Sequence, residues 1–250
     1  MSERLECCEI FSSIQGEGLL AGRRQVFIRL AGCNLDCSYC DTDFVRRDVC
    51  RVETAPGSLE FSAEPQPLET LKLADVVRRW CVTIPGGHHS VSLTGGEPLL
   101  QIEPLLELLP QLRRFLPVHL ETNGTLPDAL ARVVHLLDYI SMDMKLPSVS
   151  GCGDGLWGQH RDFLGVAAGH GVSVKVVAGS RTTEAEISRV CRIIAEIDRS
   201  TPLFLQPLTV SHGSDDAIGV AHLLRLQETA AARLPDVRVI PQMHLMMGVL

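Results

Sequence analysis

A chain of 250 residues, 45% hydrophobic and 21% charged, has enough apolar material for a sizeable core and lies outside the composition of disordered polypeptides. Its 23 lysines and arginines stand against 30 acidic residues, a net charge of −7, so no general basic field exists to neutralise a phosphate backbone and nucleic acid is not an expected partner. The apolar stretch 99–109 is broken by Gln101, Glu103 and Glu107, far short of the ~20 apolar residues of a membrane span. The opening Met1-Ser2-Glu3-Arg4-Leu5-Glu6 lacks the basic start and apolar segment of a secretory signal. A cytoplasmic protein without a membrane segment is the expectation.

In chain order, the first β-branched run is 26–30, followed at once by a cluster of cysteines. Residues 46–68, with Pro56, Gly57, Pro65 and Pro67 among charged residues, read as an inserted surface excursion. Strand-like runs then recur at 91–94, 118–122, 139–144, 172–177, 203–206 and 237–240. Between them, 99–112, 128–137, 159–170, 184–199 and 215–234 repeat apolar residues at spacings of three and four, the mark of helices with one buried face. Thr183 and Glu186 form a capping-box pattern before the fourth of these, and Ser214 is placed to cap the last. Residues 147–158, rich in glycine and serine, read as a second long loop. The alternation resumes after each interruption, so residues 1–250 are expected to form one domain. Strand alternating with helix implies an α/β fold with parallel strands and outer helices. About six repeats fall short of a closed eight-fold barrel, and the pattern alone admits either a partial barrel or an open sheet.

Nine cysteines in a reducing compartment do not suggest a disulfide framework. Cys7 and Cys8 adjoin near the start, while Cys50, Cys81, Cys152 and Cys191 are scattered and read as small buried hydrophobes. Cys33, Cys37 and Cys40 are different, because they crowd into eight residues directly after a strand, where parallel folds place active-site loops. Three thiolates there suit a zinc knob if Cys50 supplies a fourth ligand. They suit equally an iron–sulfur cluster with one iron left open for a chelating molecule. Gly95 and Gly96 follow the next strand and permit close backbone approach to a ligand. Gly153, Gly155 and Gly158 match a dinucleotide-binding pattern, but they lie well past a strand end and no acidic residue closes the next strand, so that reading is set aside.

The spacing of Cys33, Cys37 and Cys40, with Gly95-Gly96-Glu97-Pro98 downstream, resembles the signature of the radical S-adenosylmethionine enzymes. Within them, Ser13-Ile14-Gln15-Gly16-Glu17-Gly18, Phe27-Ile28-Arg29, Cys40-Asp41-Thr42, Glu121-Thr122-Asn123-Gly124-Thr125, Ser141-Met142-Asp143-Met144-Lys145 and Gln206-Pro207 are similar, in order, to the 7-carboxy-7-deazaguanine synthase family across nearly the whole chain. The resemblance implies a partial, reduced (β/α) barrel of about six parallel strands in a homodimer. It also implies rearrangement of 6-carboxy-5,6,7,8-tetrahydropterin to 7-carboxy-7-deazaguanine with loss of ammonia, toward queuosine and other deazapurines.

By the same resemblance Cys33, Cys37 and Cys40 ligate a 4Fe–4S cluster. Tyr39, Cys40, Asp41, Gly96, Ser141, Met142 and Asp143 bind S-adenosylmethionine, and Thr42 binds magnesium (Mg2+). Ile14, Gln15, Gly16, Arg29, Thr94 and Leu250 face the pterin, Arg29 through a planar fork suited to a carboxylate. No side chain is assigned a catalytic role beyond cluster and cofactor, and an electron donor such as flavodoxin is implied. Lys145 and Lys175 read as solvated strand-end lysines. His244 is followed by Leu245 where the family often has lysine. Two other readings carry weight: a glycyl-radical activating enzyme, which shares the cysteine spacing but has no use for a small magnesium-bound carboxylate, and a non-catalytic metal-binding module.

Overall fold

The computed structural model describes residues 2–40, 42, 44–209 and 216–249. Strand β1 (Arg4–Leu5) leads into β2 (Cys7–Ile14), a 3-10 turn at Gly18–Leu20, and β3 (Arg24–Leu30). After the cysteine loop come β4 (Val49–Glu53), β5 (Phe61–Pro65), β6 (Leu68–Glu69) and helix α1 (Thr70–Thr83). Strand and helix then alternate through β7 (Ser90–Gly95), α2 (Ile102–Leu112), β8 (Val118–Thr122), α3 (Pro127–Val133) and β9 (Tyr139–Asp143). The short α4 (Pro147–Ser150) precedes α5 (Trp157–Ala167), β10 (Val172–Ala178), α6 (Glu184–Asp198), β11 (Leu203–Pro207), α7 (Val220–Ala231), β12 (Val237–Val239) and α8 (Met243–Met247).

Ten strands form one sheet in the order β12-β11-β10-β9-β8-β7-β3-β2-β4-β5. All seven strands expected from sequence are present, and β3 and β7 to β12 pair in parallel, each with its chain neighbour. Side chains alternate across this ribbon. Val26, Ile28, Leu30, Val91, Leu93, Val118, Leu120, Ile140, Met142, Val174 and Val176 form the apolar core with the helices. Gln25, Ser90, Ser92, His119, Ser173 and Gln206 are buried polar residues on the opposite face. That second face is the inside of a curled sheet. From β3 to β11 is five strand steps, ~24 Å if flat, yet Arg29 of β3 and Gln206 of β11 line a single cavity. The architecture is the partial barrel.

Several elements differ from the sequence expectation. Residues 46–68 are not a mere surface excursion: β4 and β5 make an antiparallel hairpin that extends the sheet beside β2, with Cys50 fully buried on it. Helix α1 buries Leu73, Ala74, Val76, Val77 and Trp80, a three-and-four spacing masked in the sequence by its position after a proline-rich stretch. The last long helix starts at Val220 with Gly219 as its N-cap, shorter than the 215–234 pattern, and Ser214 lies outside the described residues. The 147–158 loop contains α4 and a 3-10 turn at Asp154–Leu156. The Thr183–Glu186 capping box is present in both directions. Among the described residues no helix is long and apolar enough to cross a membrane.

Leu93 is wholly buried on the central strand β7. Leu93→Ala should cost about 2–5 kcal/mol, read as a lower urea midpoint with unchanged slope; a cost below about 1 kcal/mol would contradict this core.

Candidate functional site

The loop after β3 is held in place by the ends of its neighbours. The Gly96 amide donates to the Leu30 carbonyl (3.2 Å) and the Glu97 amide to that of Gly32 (2.9 Å). A Cβ at Gly95, whose φ is +117°, would overlap the Leu30 backbone, and one at Gly96 would overlap the Gly32 carbonyl. The glycine pair is therefore required first by this close approach of loop to strand, although both residues also line the cavity.

Glu97 is fully buried and binds the end of β7 to that of β8. It accepts from the Leu99 amide (3.1 Å), the Asn123 amide (2.8 Å) and the Thr122 hydroxyl (2.9 Å to each oxygen). Asn123 Nδ2 donates to Asn34 Oδ1, and Asn34 Nδ2 to Thr125 Oγ1, both at 2.9 Å. On the other flank the Ser38 amide donates to the Ser150 carbonyl (3.0 Å) and its hydroxyl to that of Val149 (2.7 Å).

So fastened, Cys33, Tyr39, Cys37 and Cys40 line one cavity of about 310 Å³. Cys33 Sγ accepts from the Leu35 amide (3.4 Å) and from Asn123 Nδ2 (3.9 Å), donors that suit a metal-bound thiolate. Burial raises the Cys33 thiol, and burial also pushes Cys37 up to about 12 despite the opposing pull of Lys145. Both thiols hold their protons more tightly than a free cysteine, and a bound metal would displace them. Cys50 is packed against Cys7 inside the sheet, away from the cavity, and does not provide the fourth ligand that a zinc knob needs.

The cavity floor is ionic. Lys175 pairs with Glu17 and with Asp143 (3.2 Å), and Lys145 with Asp143 (2.9 Å). Gln206 and Gln242 donate to Glu17 Oε1 at 3.1 and 2.9 Å. Burial alone would raise the Asp143 carboxyl, but Lys145 and Lys175 outweigh it and hold it at about 2. Burial would likewise lower Lys175, and Asp143 and Glu17 instead raise it. Among the described residues Asp143 Oδ1 is buried without a hydrogen-bond partner, an acceptor open to a ligand's donor. Lys145 and Lys175 are thus buried floor residues, not the solvated strand-end lysines of the sequence reading. Lys145 also stands 5.1 Å over the Tyr39 ring.

Arg29 lines the cavity with its Nε donated to Glu9 of β2 (2.9 Å). Arg51, from the hairpin, lies 3.6 Å from the same carboxylate, so two guanidinium groups face one negative charge and a net positive charge remains. Gln15 donates from Nε2 to Gln25 (2.9 Å) and Glu121 (3.0 Å). A Cβ at Gly16 would overlap the His244 ring, and the Met243 amide donates to the Gly16 carbonyl (3.0 Å). The chain's last turn is therefore seated on the Gln15–Gly16 segment, with His244 and Leu245 on the cavity wall even though leucine replaces the expected lysine.

Of the residues singled out from sequence, Ile14, Gln15, Gly16, Arg29, Cys33, Cys37, Tyr39, Cys40, Thr42, Thr94, Gly96, Ser141 and Asp143 share this cavity. Met142 does not: its side chain belongs to the apolar core, because it alternates with Ser141 and Asp143. Asp41 and Leu250 lie outside the described residues. Cys152, expected as a buried hydrophobe, is half-buried with its Sγ 3.7 Å from that of Cys37. Sequence reasoning missed Glu9, Arg51, Glu121, Lys145 and Lys175. The polar residues among these that interrupt β-branched runs at every second position of β8 to β10 were the available signal.

The sequence model of the Radical SAM superfamily matches residues 27–150. A 7-carboxy-7-deazaguanine synthase of Geobacter sulfurreducens is 47% identical over 243 residues, 96% of this chain and 96% of that protein. One of Methanothermobacter thermautotrophicus is 38% identical over 267 residues, 98% of each. The solved structure of QueE from Escherichia coli shares the fold with a TM-score of 0.61 at 23% identity, covering 96% of this chain and 95% of that one. A radical SAM methyltransferase from Sphaerobacter thermophilus follows at 0.57 and 14%, covering 93% and 77%. Partial barrel and cysteine loop together define a radical S-adenosylmethionine enzyme. The chain belongs to the 7-carboxy-7-deazaguanine synthase family.

Burial pushes the Glu97 carboxyl up to about 7 against the pull of its donors. A carboxyl raised in the fold stabilises it fully below its ordinary value of about 4.5, and that contribution is lost as pH rises through about 7. The cluster-free chain should lose about 3 kcal/mol from this group between those values, whereas Glu97→Gln, with no charge to bury, should not. Parallel urea midpoints for the two chains across pH 4.5–8 would contradict it.

Proposed function

We propose that the chain converts 6-carboxy-5,6,7,8-tetrahydropterin to 7-carboxy-7-deazaguanine with loss of ammonia, on the way to queuosine and other deazapurines. The observation that carries this reading is one cavity lined by three cysteines, a carboxylate acceptor without a partner among the described residues and an arginine with charge to spare, in a chain 47% identical to a synthase of that name. A 4Fe–4S cluster with S-adenosylmethionine on its open iron supplies, when bound, the one-electron chemistry that produces a 5′-deoxyadenosyl radical.

The shared cavity supports the roles of the residues that line it, while those of Asp41 and Leu250, outside the described residues, rest on the sequence resemblance alone. Cys33, Cys37 and Cys40 would hold the cluster. Tyr39 to Asp41, the Gly96 backbone, the Ser141 hydroxyl and Asp143 would hold S-adenosylmethionine, with Asp143 Oδ1 available to accept from it and Met142 offering only main chain. Lys145 and Lys175 keep Asp143 ionised in a dry place. Thr42 would contribute an oxygen to magnesium, which would need further oxygens from substrate and cofactor to bind there. Ile14 to Gly16, Thr94, Arg29 and the carboxylate of Leu250 face the pterin. Arg29 takes the substrate carboxylate on the guanidinium edge that Glu9 does not use, and Arg51 offsets the charge of Glu9. Residues 1–250 act as one domain with the 46–68 hairpin as an insertion. A homodimer working in the cytoplasm with an electron donor such as flavodoxin completes the proposal; the cysteines require reducing surroundings.

Anaerobic reconstitution should give about four irons and four sulfides per chain. Cys33→Ser, Cys37→Ser and Cys40→Ser should each lose them and Cys50→Ser should not; zinc in place of iron, with Cys50 required, would contradict the cluster.

Turnover should rise with magnesium, and Thr42→Ala should shift that dependence to higher concentration with iron content unchanged. Equal turnover in chelator and in excess magnesium would remove the ion from the site.

Removing one partner of a desolvated charge pair costs about 2–5 kcal/mol, or about 30-fold to several thousand-fold in kcat/KM. Arg29→Ala should show that loss in pterin turnover while still releasing 5′-deoxyadenosine, and Arg29→Lys should recover little, since a point charge does not reproduce the fork. Near-normal turnover by Arg29→Ala would overturn the pocket assignment and leave the cluster assignment standing.

A further inference from the structure

Cys152 has no part in the roles above, yet its Sγ lies 3.7 Å from that of Cys37 across a sequence separation of 115 residues. The register is built rather than incidental. Ser38, next to Cys37, is bound through its amide to the Ser150 carbonyl (3.0 Å) and through its hydroxyl to the Val149 carbonyl (2.7 Å), and the Cys152 amide donates to Ser150 Oγ (3.2 Å). These bonds fix the turn after α4 against the cysteine loop, one residue from Cys37 and two from Cys152.

Cys33, Cys37 and Cys40 line the cavity, and Cys152 is not among its lining residues. Its neighbours Gly151 and Gly153 have φ of +74° and +71°, a conformation that glycine adopts freely, so the segment Gly151-Cys152-Gly153 can shift without strain on a side chain. From 3.7 Å, the sulfurs need to close by about 1.7 Å to bond, a distance within reach of side-chain rotation on such a segment.

We propose that Cys37 and Cys152 form a reversible disulfide when the chain is without its cluster, a thiol switch that protects one cluster ligand from irreversible oxidation and blocks loading until it is reduced. The proposal rests on the assignment of Cys37 to the cluster. The oxidant is a low-molecular-weight disulfide such as oxidised glutathione. One cysteine thiolate attacks it, its sulfur–sulfur bond breaks and the first glutathione leaves. The second cysteine then attacks the mixed disulfide, the protein sulfur–sulfur bond forms and the second glutathione leaves. The two cysteine protons end on the two glutathione thiols, and the two electrons of the protein pair reduce the added disulfide. While Cys37 is so engaged, only Cys33 and Cys40 remain to receive iron.

The test is disulfide mapping of the full chain, stripped of iron by a chelator without oxygen, treated with oxidised glutathione, alkylated and digested without reductant. The expected product is a peptide pair joining Cys37 to Cys152. Dithiothreitol should then restore iron loading to the level of untreated protein. Untreated Cys152→Ser and Cys152→Ala should load iron like wild type. After peroxide and then dithiothreitol, both should recover several-fold less iron than wild type, with Cys37 found as sulfinic or sulfonic acid. Cys37 joined to Cys33 or Cys40 instead, Cys152 alkylated throughout, or equal recovery by variants and wild type would overturn the switch. Normal iron loading by Cys37→Ser would instead overturn the cluster assignment, and the map distinguishes the two failures because it reads no activity.

Discussion

Charges inside a curled sheet persist only if they cancel, because removing an ion from water costs several kcal/mol unless a partner and hydrogen bonds replace the solvent. Glu17 and Asp143 against Lys145 and Lys175 meet that condition on the barrel floor. The set comes from β9, β10 and the segments flanking them, together with the turn after β2, so it ties later strands of the barrel to its opening strands. Everything above it inherits the geometry: Tyr39 lies against Lys145, and Gln206 and Gln242 bring β11 and the C-terminal segment to Glu17. Among the described residues one acceptor of the set, Asp143 Oδ1, has no partner. A neutral floor with such an acceptor is prepared for a polar ligand without needing one in order to fold.

A second constraint sets the cysteines. Three thiols gathered at one cavity need a loop that does not drift, and that loop is tied on one flank by Glu97 and Asn123 and on the other by the turn after α4. Glu97 touches neither cysteine sulfur nor cavity, yet its hydrogen bonds determine where Asn123, and through it Asn34 and Cys33, can stand. Its effect on chemistry is one of position. The hairpin at 49–65 works at a similar remove, through Arg51 on Glu9 and Glu9 on Arg29.

Much of this was legible in the sequence for definite reasons. The seven parallel strands carried β-branched runs, and most of the helices beyond them carried apolar spacing; the cysteine triplet and the Gln15–Gly18 segment were local in sequence as well as in space. The strands β2, β4 and β5 were not legible, because they mix polar and apolar residues and the proline-rich stretch around β4 and β5 suggested a loop. Lys145 and Lys175 look in sequence like any lysine at a strand end. Only curvature of the sheet turns that end inward, and curvature is a property of all the strands together. Met142 shows the converse, since a run of three residues was expected on the cofactor and strand alternation sends the middle one into the core. Cys152 had no local signature at all; its place beside Cys37 arises from hydrogen bonds between two loops far apart in the chain.

The proposed function has this floor, loop and arginine serving one reaction on one substrate. Its most direct test is anaerobic incubation of the reconstituted chain with S-adenosylmethionine, reductant, magnesium and 6-carboxy-5,6,7,8-tetrahydropterin, followed by mass analysis of the small molecules. The expected products are 7-carboxy-7-deazaguanine and ammonia in equal amounts, dependent on both reductant and S-adenosylmethionine. Cleavage of S-adenosylmethionine to 5′-deoxyadenosine with the pterin recovered unchanged would contradict the proposed function.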